Sequence, residues 1–248
     1  MCAAVADFRV LDTYDTRAPM VVAEQLVRLA RGKRYVEIGS RRGDILACVS
    51  HYALASHVYE AHGPYCGALL ERAAAAASST SPRVSVHCPE FFQPSTLQKA
   101  DQADVYYSWI SPPVAWELLK GLYSGVRSGD VRRHAVFATI VFPRSHYERV
   151  GDDAVYLWKG VQLASLASRV HLVPFGERSL VNARGDTDEG TQMVHVNDTV
   201  AFLEFDLSEQ RWEEEDFAEL SAHACHGRYS QRRCPTPPEF AEAVLTRS

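Results

Sequence analysis

Apolar positions along the first part of the chain follow two different spacings. In APMVVAEQLVRLAR, Ala18 to Arg31, apolar residues recur every three or four positions, which predicts an amphipathic helix that ends at Gly32. Short apolar runs follow at Tyr35–Ile38, His57–Glu60 and Arg83–Cys88. Short runs of this kind, bounded by turn residues, predict strands that are buried in a sheet.

Helical segments alternate with these strands. The segment Asp44–Ala53 follows the first strand, and the alanine-rich Pro64–Ala77 follows the second. Two more strands are predicted at Ala103–Ile110 and His134–Phe142, separated by a helix that begins with two prolines. A helix is predicted over about Asp153–Ser168, and the runs VHLVPF and TQMVHVNDTVAFLEFDL then follow without a helix between them.

This order of elements predicts an α/β fold. Strands that alternate with helices form a parallel sheet covered on both faces, because right-handed crossovers place the helices there. Over residues 1–207 we expect a doubly wound, mostly parallel sheet with an antiparallel C-terminal hairpin. Residues 208–248, which include the carboxylate run EEED and the proline-rich CPTPPEF, are expected to form a helical surface appendage.

The composition of the chain excludes some classes of protein. A chain of 248 residues with 46% hydrophobic residues is long enough for one large core. A net charge of -5 argues against nucleic acid as a partner, since binding to phosphate backbones needs a surplus of Lys and Arg. No apolar run has the length of a membrane span, so no membrane association is expected. The six cysteines form no CxxC pair, which predicts reduced thiols and a cytoplasmic setting.

A glycine-bearing turn after the first predicted strand is the first candidate for chemistry. Ligands of open parallel sheets bind beyond the carboxyl ends of the strands, where glycine lets backbone amides approach them closely. The dinucleotide fingerprint GxGxxG, started at Gly39, would need glycine where the chain has Arg41 and Asp44, which argues against a nicotinamide or flavin site. An acid followed by alternate glycines is the other pattern, and Glu37, Gly39 and Gly43 meet it.

With Glu60 at the end of the second strand, this pattern resembles the class I S-adenosylmethionine-dependent methyltransferases, over roughly residues 18–207 in element order. The resemblance implies that Glu37 helps to bind the methionine part of S-adenosylmethionine. It implies that the turn Gly39–Gly43, with Ser40 and Arg41, lies along the cofactor. Glu60 would accept hydrogen bonds from both ribose hydroxyls, and such charge-assisted bonds are strong.

The residue that lies beside the adenine amino group in this family falls in the segment CPEFF after the third strand. Glu90 is the candidate, with Phe91 as a stacking face. Arg41 departs from the family because it replaces the middle glycine with a long charged side chain. This departure leaves open a fold that has stopped binding the cofactor, in which Glu37 is a satisfied buried acid and Glu60 a solvated strand end.

The methyl acceptor of this family binds after the fourth strand. There the candidates for substrate binding are Trp109, Ser111 and Pro112. The sequence Ser111–Pro112–Pro113 resembles the motif of amino-group methyltransferases, but Val114 stands where that motif has an aromatic residue. The two prolines are also explained as the start of a helix.

Methyl transfer to a hydroxyl or an amine also requires a group that removes a proton. His146 and Tyr147 follow the fifth strand in FPRSHYERV, and a histidine titrates near neutrality. Asp104, near the start of the fourth strand, is a third catalytic candidate for which a structural role is also open.

The spacing of the candidate residues argues against a zinc site, a serine nucleophile and a phosphate-binding loop. His223, Cys225, His226 and Cys234 fit no usual zinc motif, so no metal is expected. Neither the nucleophile pattern GxSxG nor the phosphate-binding pattern GxxxxGK(S/T) occurs. The sequence therefore predicts an S-adenosylmethionine-dependent methyltransferase that acts on a small molecule or a protein side chain by O- or N-methylation. The alternative is a non-catalytic binding or scaffold protein of the same fold, and a nucleic-acid amino-methyltransferase is less favoured.

Overall fold

The computed structural model describes residue 2 and residues 20–78, 83–96, 102–109, 112–141, 160, 163–164, 166–175 and 198–209. The helices are α1 (Met20–Ala30), α2 (Leu46–Val49), α3 (Cys66–Ser78) and α4 (Pro112–Ser128). The strands are β1 (Arg34–Ile38), β2 (Ala55–Tyr59), β3 (Arg83–His87), β4 (Val105–Ser108), β5 (Val136–Val141), β6 (Arg169–Phe175) and β7 (Asp198–Asp206).

The seven strands form one sheet in the order β3-β2-β1-β4-β5-β7-β6. The first five strands are parallel to one another, whereas β7 is antiparallel to both β5 and β6. The prediction of a doubly wound, mostly parallel sheet with an antiparallel C-terminal hairpin is therefore confirmed. This is the class I methyltransferase-like fold that the sequence resemblance implies.

Alternate residues of the central strands enter the two cores that cover the faces of the sheet. On β1, Tyr35 belongs to the core beneath α1 and α2, whereas Val36 belongs to the core beneath α4. On β4, Tyr107 lies on the same face as Tyr35, and Tyr106 lies on the face of Val36. This alternation follows from the two-residue period of a strand, and it decides which side chains meet at the site.

The helix predicted over Asp44–Ala53 is shorter in the structure. Regular α-helix is confined to Leu46–Val49, and residues on either side form turns. The backbone bonds from Ala47 N to Gly43 O and from Ala53 N to Val49 O continue the helical pattern past both ends of this helix. The predicted helix is thus present as a succession of tight turns.

Some predictions lie wholly or mostly outside the described residues. Of the helix predicted over Asp153–Ser168, the structure describes residues 160, 163, 164 and 166 as helical. Residues 210–248 of the predicted appendage are outside the described part, as are the four His and Cys residues considered for zinc. Among the described helices, none has the length and apolar character needed to cross a membrane.

The cysteines correct one prediction. Cys2 and Cys48 form a disulfide, and Cys66 and Cys88 form a second one, so the prediction of reduced thiols is wrong for these four residues. Pairing depends on Cα atoms that lie about 5 to 6 Å apart in the folded chain, which linear spacing does not reveal. The argument for a cytoplasmic setting from cysteine usage therefore no longer holds.

Candidate functional site

The site lies where the strand order reverses. β1 has β2 on one side and β4 on the other, so the chain winds in opposite directions from this point. A crevice forms there because the connections that leave the two strands turn away from each other. The ends of the strands are fixed by side-chain bonds, from Ser108 Oγ to Ile38 O at 3.0 Å and from Thr139 Oγ1 to Ser108 O at 2.8 Å.

The turn after β1 has a backbone that favours glycine. Gly39 and Gly43 have φ angles of 76° and 78°, and Arg41 between them has a φ of 48°. Side chains rarely tolerate this left-handed region, so Arg41 occupies an uncommon conformation. At Gly43 a Cβ atom would also lie 2.9 Å from Leu69 Cδ1 of α3. The predicted glycine turn is therefore present, and its tight packing and positive φ disfavour larger residues at position 43.

A hollow opens between this turn and the end of β4. It encloses about 320 Å³, counting the part that is open to solvent. The residues that line it are Glu37, Gly39, Ser40, Arg41, Asp44, Ile45, Tyr107 and Trp109. Four of the residues predicted to bind the cofactor, Glu37, Gly39, Ser40 and Arg41, are in this lining, together with Trp109, which was predicted to bind the substrate.

Glu37 is a buried acid in the wall of the hollow. Its Oε2 accepts a hydrogen bond from Tyr35 Oη at 3.2 Å. Burial raises the pKa of Glu37 from 4.5 to about 8. The nearby charges of Asp44 and Glu60 also raise this pKa, whereas the hydrogen bond from the Tyr35 hydroxyl lowers it by favouring the ionised form. Glu37 is therefore mostly protonated near neutral pH, unless a positive charge enters the hollow.

Glu60 has a different environment. Its Oε2 accepts a hydrogen bond from the backbone N of Arg41, and its Oε1 accepts one from the backbone N of His62, both at 2.7 Å. The residue is buried, and it is not among the described residues that line the hollow. Glu60 thus fastens the glycine turn to the end of β2, a contact that the sequence did not indicate.

Two arginines set the charge around the turn. The carboxylate of Asp44 forms an ion pair with Arg72 of α3. The guanidinium carbon of Arg41 lies 5.5 Å from the centre of the Tyr65 ring, within the range of a cation–π interaction. Arg41 is partly exposed, and its guanidinium group contacts the Tyr65 ring.

The segment after β3 lies at the rim beside Glu60. The backbone N of Glu90 donates to Glu60 O at 2.9 Å, and its carboxylate Oε2 lies 3.5 Å from His87 Nδ1. Phe91 is 79% exposed, whereas the next residue, Phe92, packs edge-on against Tyr59. Neither Glu90 nor Phe91 lines the hollow, so their predicted roles beside adenine remain predictions.

The residues predicted for the acceptor and the base are only partly described. Pro112 is buried at the first position of α4, which confirms that the prolines start a helix. Ser111, His146 and Tyr147 lie outside the described residues. Of these predicted residues, Trp109 lies in the described part of the chain and lines the hollow, and its role in substrate binding stays a prediction.

Asp104 is placed at the opposite end of the sheet. Its Oδ2 accepts from the backbone N of Arg34, the first residue of β1, and its Oδ1 accepts from Arg132 at 2.7 Å. The hollow lies beyond the other end of β1, at Gly39. The structure does not bring Asp104 to the site, and its contacts are those of a residue that ties two strands together.

Tyr35 and Tyr107 are residues of the site that were not predicted from the sequence. Tyr35 and Glu37 share one face of β1 because of the two-residue period of a strand, and Tyr107 of β4 belongs to the same core as Tyr35, against which Trp109 packs just after β4. Among the described residues, no group of three His, Cys, Asp or Glu side chains is placed to hold a metal ion.

Comparisons with known proteins give likenesses of architecture. No protein-family model matches the chain, and no curated protein sequence matches it. Precorrin 8w decarboxylase from Methanobacterium thermoautotrophicum is 13% identical, with a TM-score of 0.48 over 77% of this chain and 91% of that chain. A SAM-dependent O-methyltransferase from Thermotoga maritima is 15% identical, with a TM-score of 0.47 over 78% of this chain and 65% of that chain.

A tRNA methyltransferase from Aquifex aeolicus is 14% identical, with a TM-score of 0.44 over 77% of this chain and 70% of that chain. The order and direction of the strands in the chain itself give it a class I methyltransferase-like fold.

Proposed function

We propose that the chain binds S-adenosylmethionine in the hollow after β1 and transfers its methyl group to a small molecule or a protein side chain. The observation that carries this proposal is the buried carboxyl group of Glu37 in the wall of a hollow that a left-handed glycine turn forms at the reversal of the strand order. A buried acid at this place favours a ligand that brings a positive charge.

The residues of the hollow fit the amino-acid end of this cofactor. An ammonium group beside Glu37 would ionise the carboxyl group and form a charge-assisted hydrogen bond with it. Ser40 Oγ is buried close to the carboxyl group of Glu37, whose ionised form it favours, and it makes no hydrogen bond of regular geometry to a described residue, so it has the capacity for a ligand. S-adenosylmethionine supplies a methyl group bound to a sulfonium, and the protein has to align it with an acceptor.

Glu60 is proposed to have two tasks. A carboxylate has about four lone pairs, and the amides of Arg41 and His62 take two of them. The remaining capacity suits the ribose hydroxyls, as the family resemblance implies. Since Glu60 also fixes the turn, its removal would change both the shape of the hollow and the ribose contacts.

A non-catalytic binding protein of the same fold is the second candidate. The observation that favours it is the position of Glu60, whose carboxylate bonds to backbone amides and which is not part of the lining of the hollow. In that case the hollow would hold a ligand without any turnover.

Calorimetric titration with S-adenosylmethionine and S-adenosylhomocysteine tests the proposal. We expect micromolar affinity for the wild type and a loss of about tenfold or more in Glu37→Gln, which keeps the shape of the side chain but cannot ionise. Glu117→Gln on the exposed face of α4 is the control and should bind like the wild type. Absence of binding at millimolar concentration would contradict the proposal.

Turnover separates the two candidates. Formation of S-adenosylhomocysteine from S-adenosylmethionine is measured over a panel of hydroxyl, amine and carboxylate acceptors. We expect product with at least one acceptor, and none with Glu37→Gln under the same conditions. Tight binding without product for any acceptor of the panel would favour the non-catalytic protein.

A further inference from the structure

Tyr107 lines the hollow and carries a buried hydroxyl group that no described residue satisfies. The residue is 1% exposed, and its hydroxyl has no hydrogen-bond partner among the described residues. A buried hydroxyl without a partner destabilises a protein, and most such groups in folded proteins are hydrogen-bonded. The hydroxyl of Tyr107 therefore has hydrogen-bonding capacity that the described residues do not use.

The position of Tyr107 places it beside the acid of the hollow. Tyr107 and Glu37 are direct partners in the parallel register of β4 and β1, and both line the hollow. Tyr107 belongs to the core that also contains Tyr35, and Glu37, two residues after Tyr35 on β1, lies on the same face of the sheet. Burial raises the pKa of Tyr107 above its ordinary value, and the carboxyl group of Glu37 raises it further. The effect of Glu37 also indicates that the two groups lie close together.

We infer that Tyr107 is a ligand-binding residue whose hydroxyl, together with the carboxyl group of Glu37, receives a primary ammonium group of the bound molecule. An ammonium group has three donors and no acceptor, so it needs more than one oxygen around it when it leaves water. Glu37 supplies the negative charge, and Tyr107 supplies a second acceptor on the adjacent strand. The inference deepens the proposed function and rests on it, because the amino-acid end of S-adenosylmethionine carries this group.

Tyr106, which precedes Tyr107 on β4, provides a matched control. Tyr106 is also buried, but it faces the opposite core, where its ring lies 5.9 Å from that of Phe92. Phenylalanine at either position removes a hydroxyl group and leaves the aromatic ring in place. Only the change at position 107 alters the hollow.

The test is calorimetric titration of the wild type, Tyr107→Phe and Tyr106→Phe with three compounds. S-adenosylmethionine and S-adenosylhomocysteine carry the amino-acid end, and 5′-methylthioadenosine lacks it. We expect Tyr107→Phe to bind the first two about tenfold more weakly and to bind methylthioadenosine as the wild type does. Tyr106→Phe should bind all three like the wild type. The melting temperature of ligand-free Tyr107→Phe should equal or exceed that of the wild type, since the lost hydroxyl bonds to none of the described residues.

The outcomes separate the inference from the proposed function. If the wild type binds S-adenosylmethionine and Tyr107→Phe binds it equally well, the inference is overturned and the proposed function stands. The same holds if Tyr107→Phe weakens methylthioadenosine to the same degree, because the effect would then be on the shape of the hollow. If the wild type binds none of the three, the proposed function and the inference both fail.

Discussion

Glu37 is a carboxyl group in a place where its charged form is costly. Below pH 4.5 the group is protonated in the folded and in the unfolded chain. Between pH 4.5 and about 8 the unfolded chain gives up the proton while the folded chain keeps it, so stability falls as pH rises through this window. A pKa shift of this size corresponds to roughly 3 to 5 kcal/mol of unfolding free energy.

We therefore expect Glu37→Gln to be more stable than the wild type at high pH and about equally stable near pH 4.5. Glutamine keeps an acceptor for Tyr35 and has no charge to bury. Melting temperatures of both proteins measured from pH 4.5 to 8.5 check this, because other titrating groups contribute equally to both curves. Parallel curves for the two proteins would show that Glu37 titrates normally.

The same carboxyl group links ligand binding to proton release. With a pKa of about 8, most Glu37 side chains are protonated at pH 7, and a bound cation would ionise them. We expect binding of S-adenosylmethionine at pH 7 to release close to one proton in the wild type. Titrations in two buffers of different ionisation enthalpy measure the number of protons, and Glu37→Gln should release none. Equal observed enthalpies in both buffers for the wild type would contradict this coupling.

At the scale of elements, Gly43 is the point where the turn after β1 packs on α3. Alanine there would need a positive φ and would bring Cβ to 2.9 Å from Leu69 Cδ1. We expect Gly43→Ala to lower the free energy of unfolding by about 1 to 3 kcal/mol and to weaken the binding of the cofactor. Gly67→Ala, on the open surface of α3, is the control and should be neutral or slightly stabilising. Urea denaturation of both variants checks the difference, and equal midpoints would exclude the packing explanation.

The elements themselves could be predicted from sequence to different degrees. Apolar runs revealed the strands, because burial on both faces leaves a continuous hydrophobic signal. Gly39, Ser40 and Arg41 of the glycine turn line the hollow, whereas Gly43 is not among its lining residues. The positions of Glu60 and Asp104 could not be predicted, because they depend on contacts between residues that are far apart in the sequence. Glu60 bonds to the amides of Arg41 and His62, and this requires the turn and the strand end to approach each other. Asp104 seemed a candidate for the site until the direction of β4 placed it at the other end of the sheet.

At the scale of the whole molecule, two disulfides connect separate parts of the chain on the β1–β3 side of the sheet. Cys66 begins α3 and Cys88 follows β3, so this pair closes the segment around the rim beside Glu60. The other pair, Cys2–Cys48, joins the start of the chain to α2. The two pairs have sequence separations of 22 and 46 residues, and cross-links of this length stabilise a folded chain by about 3 to 4 kcal/mol each when the loss of unfolded-state entropy dominates.

We therefore expect reduction to lower the melting temperature of the protein substantially. Without reductant, alkylation should leave these four cysteines unlabelled, and peptide mapping should recover Cys66 and Cys88 in one linked pair of peptides. The double variant Cys66→Ser, Cys88→Ser should melt lower than the wild type and should respond less to reductant, because only the Cys2–Cys48 bond is left to break. Cofactor affinity measured in the same variant shows whether the bond also shapes the rim, since that rim carries Glu90 and its contact with Glu60. Quantitative labelling of these four cysteines in the native protein before reduction would contradict both bonds and would support the expectation of reduced thiols.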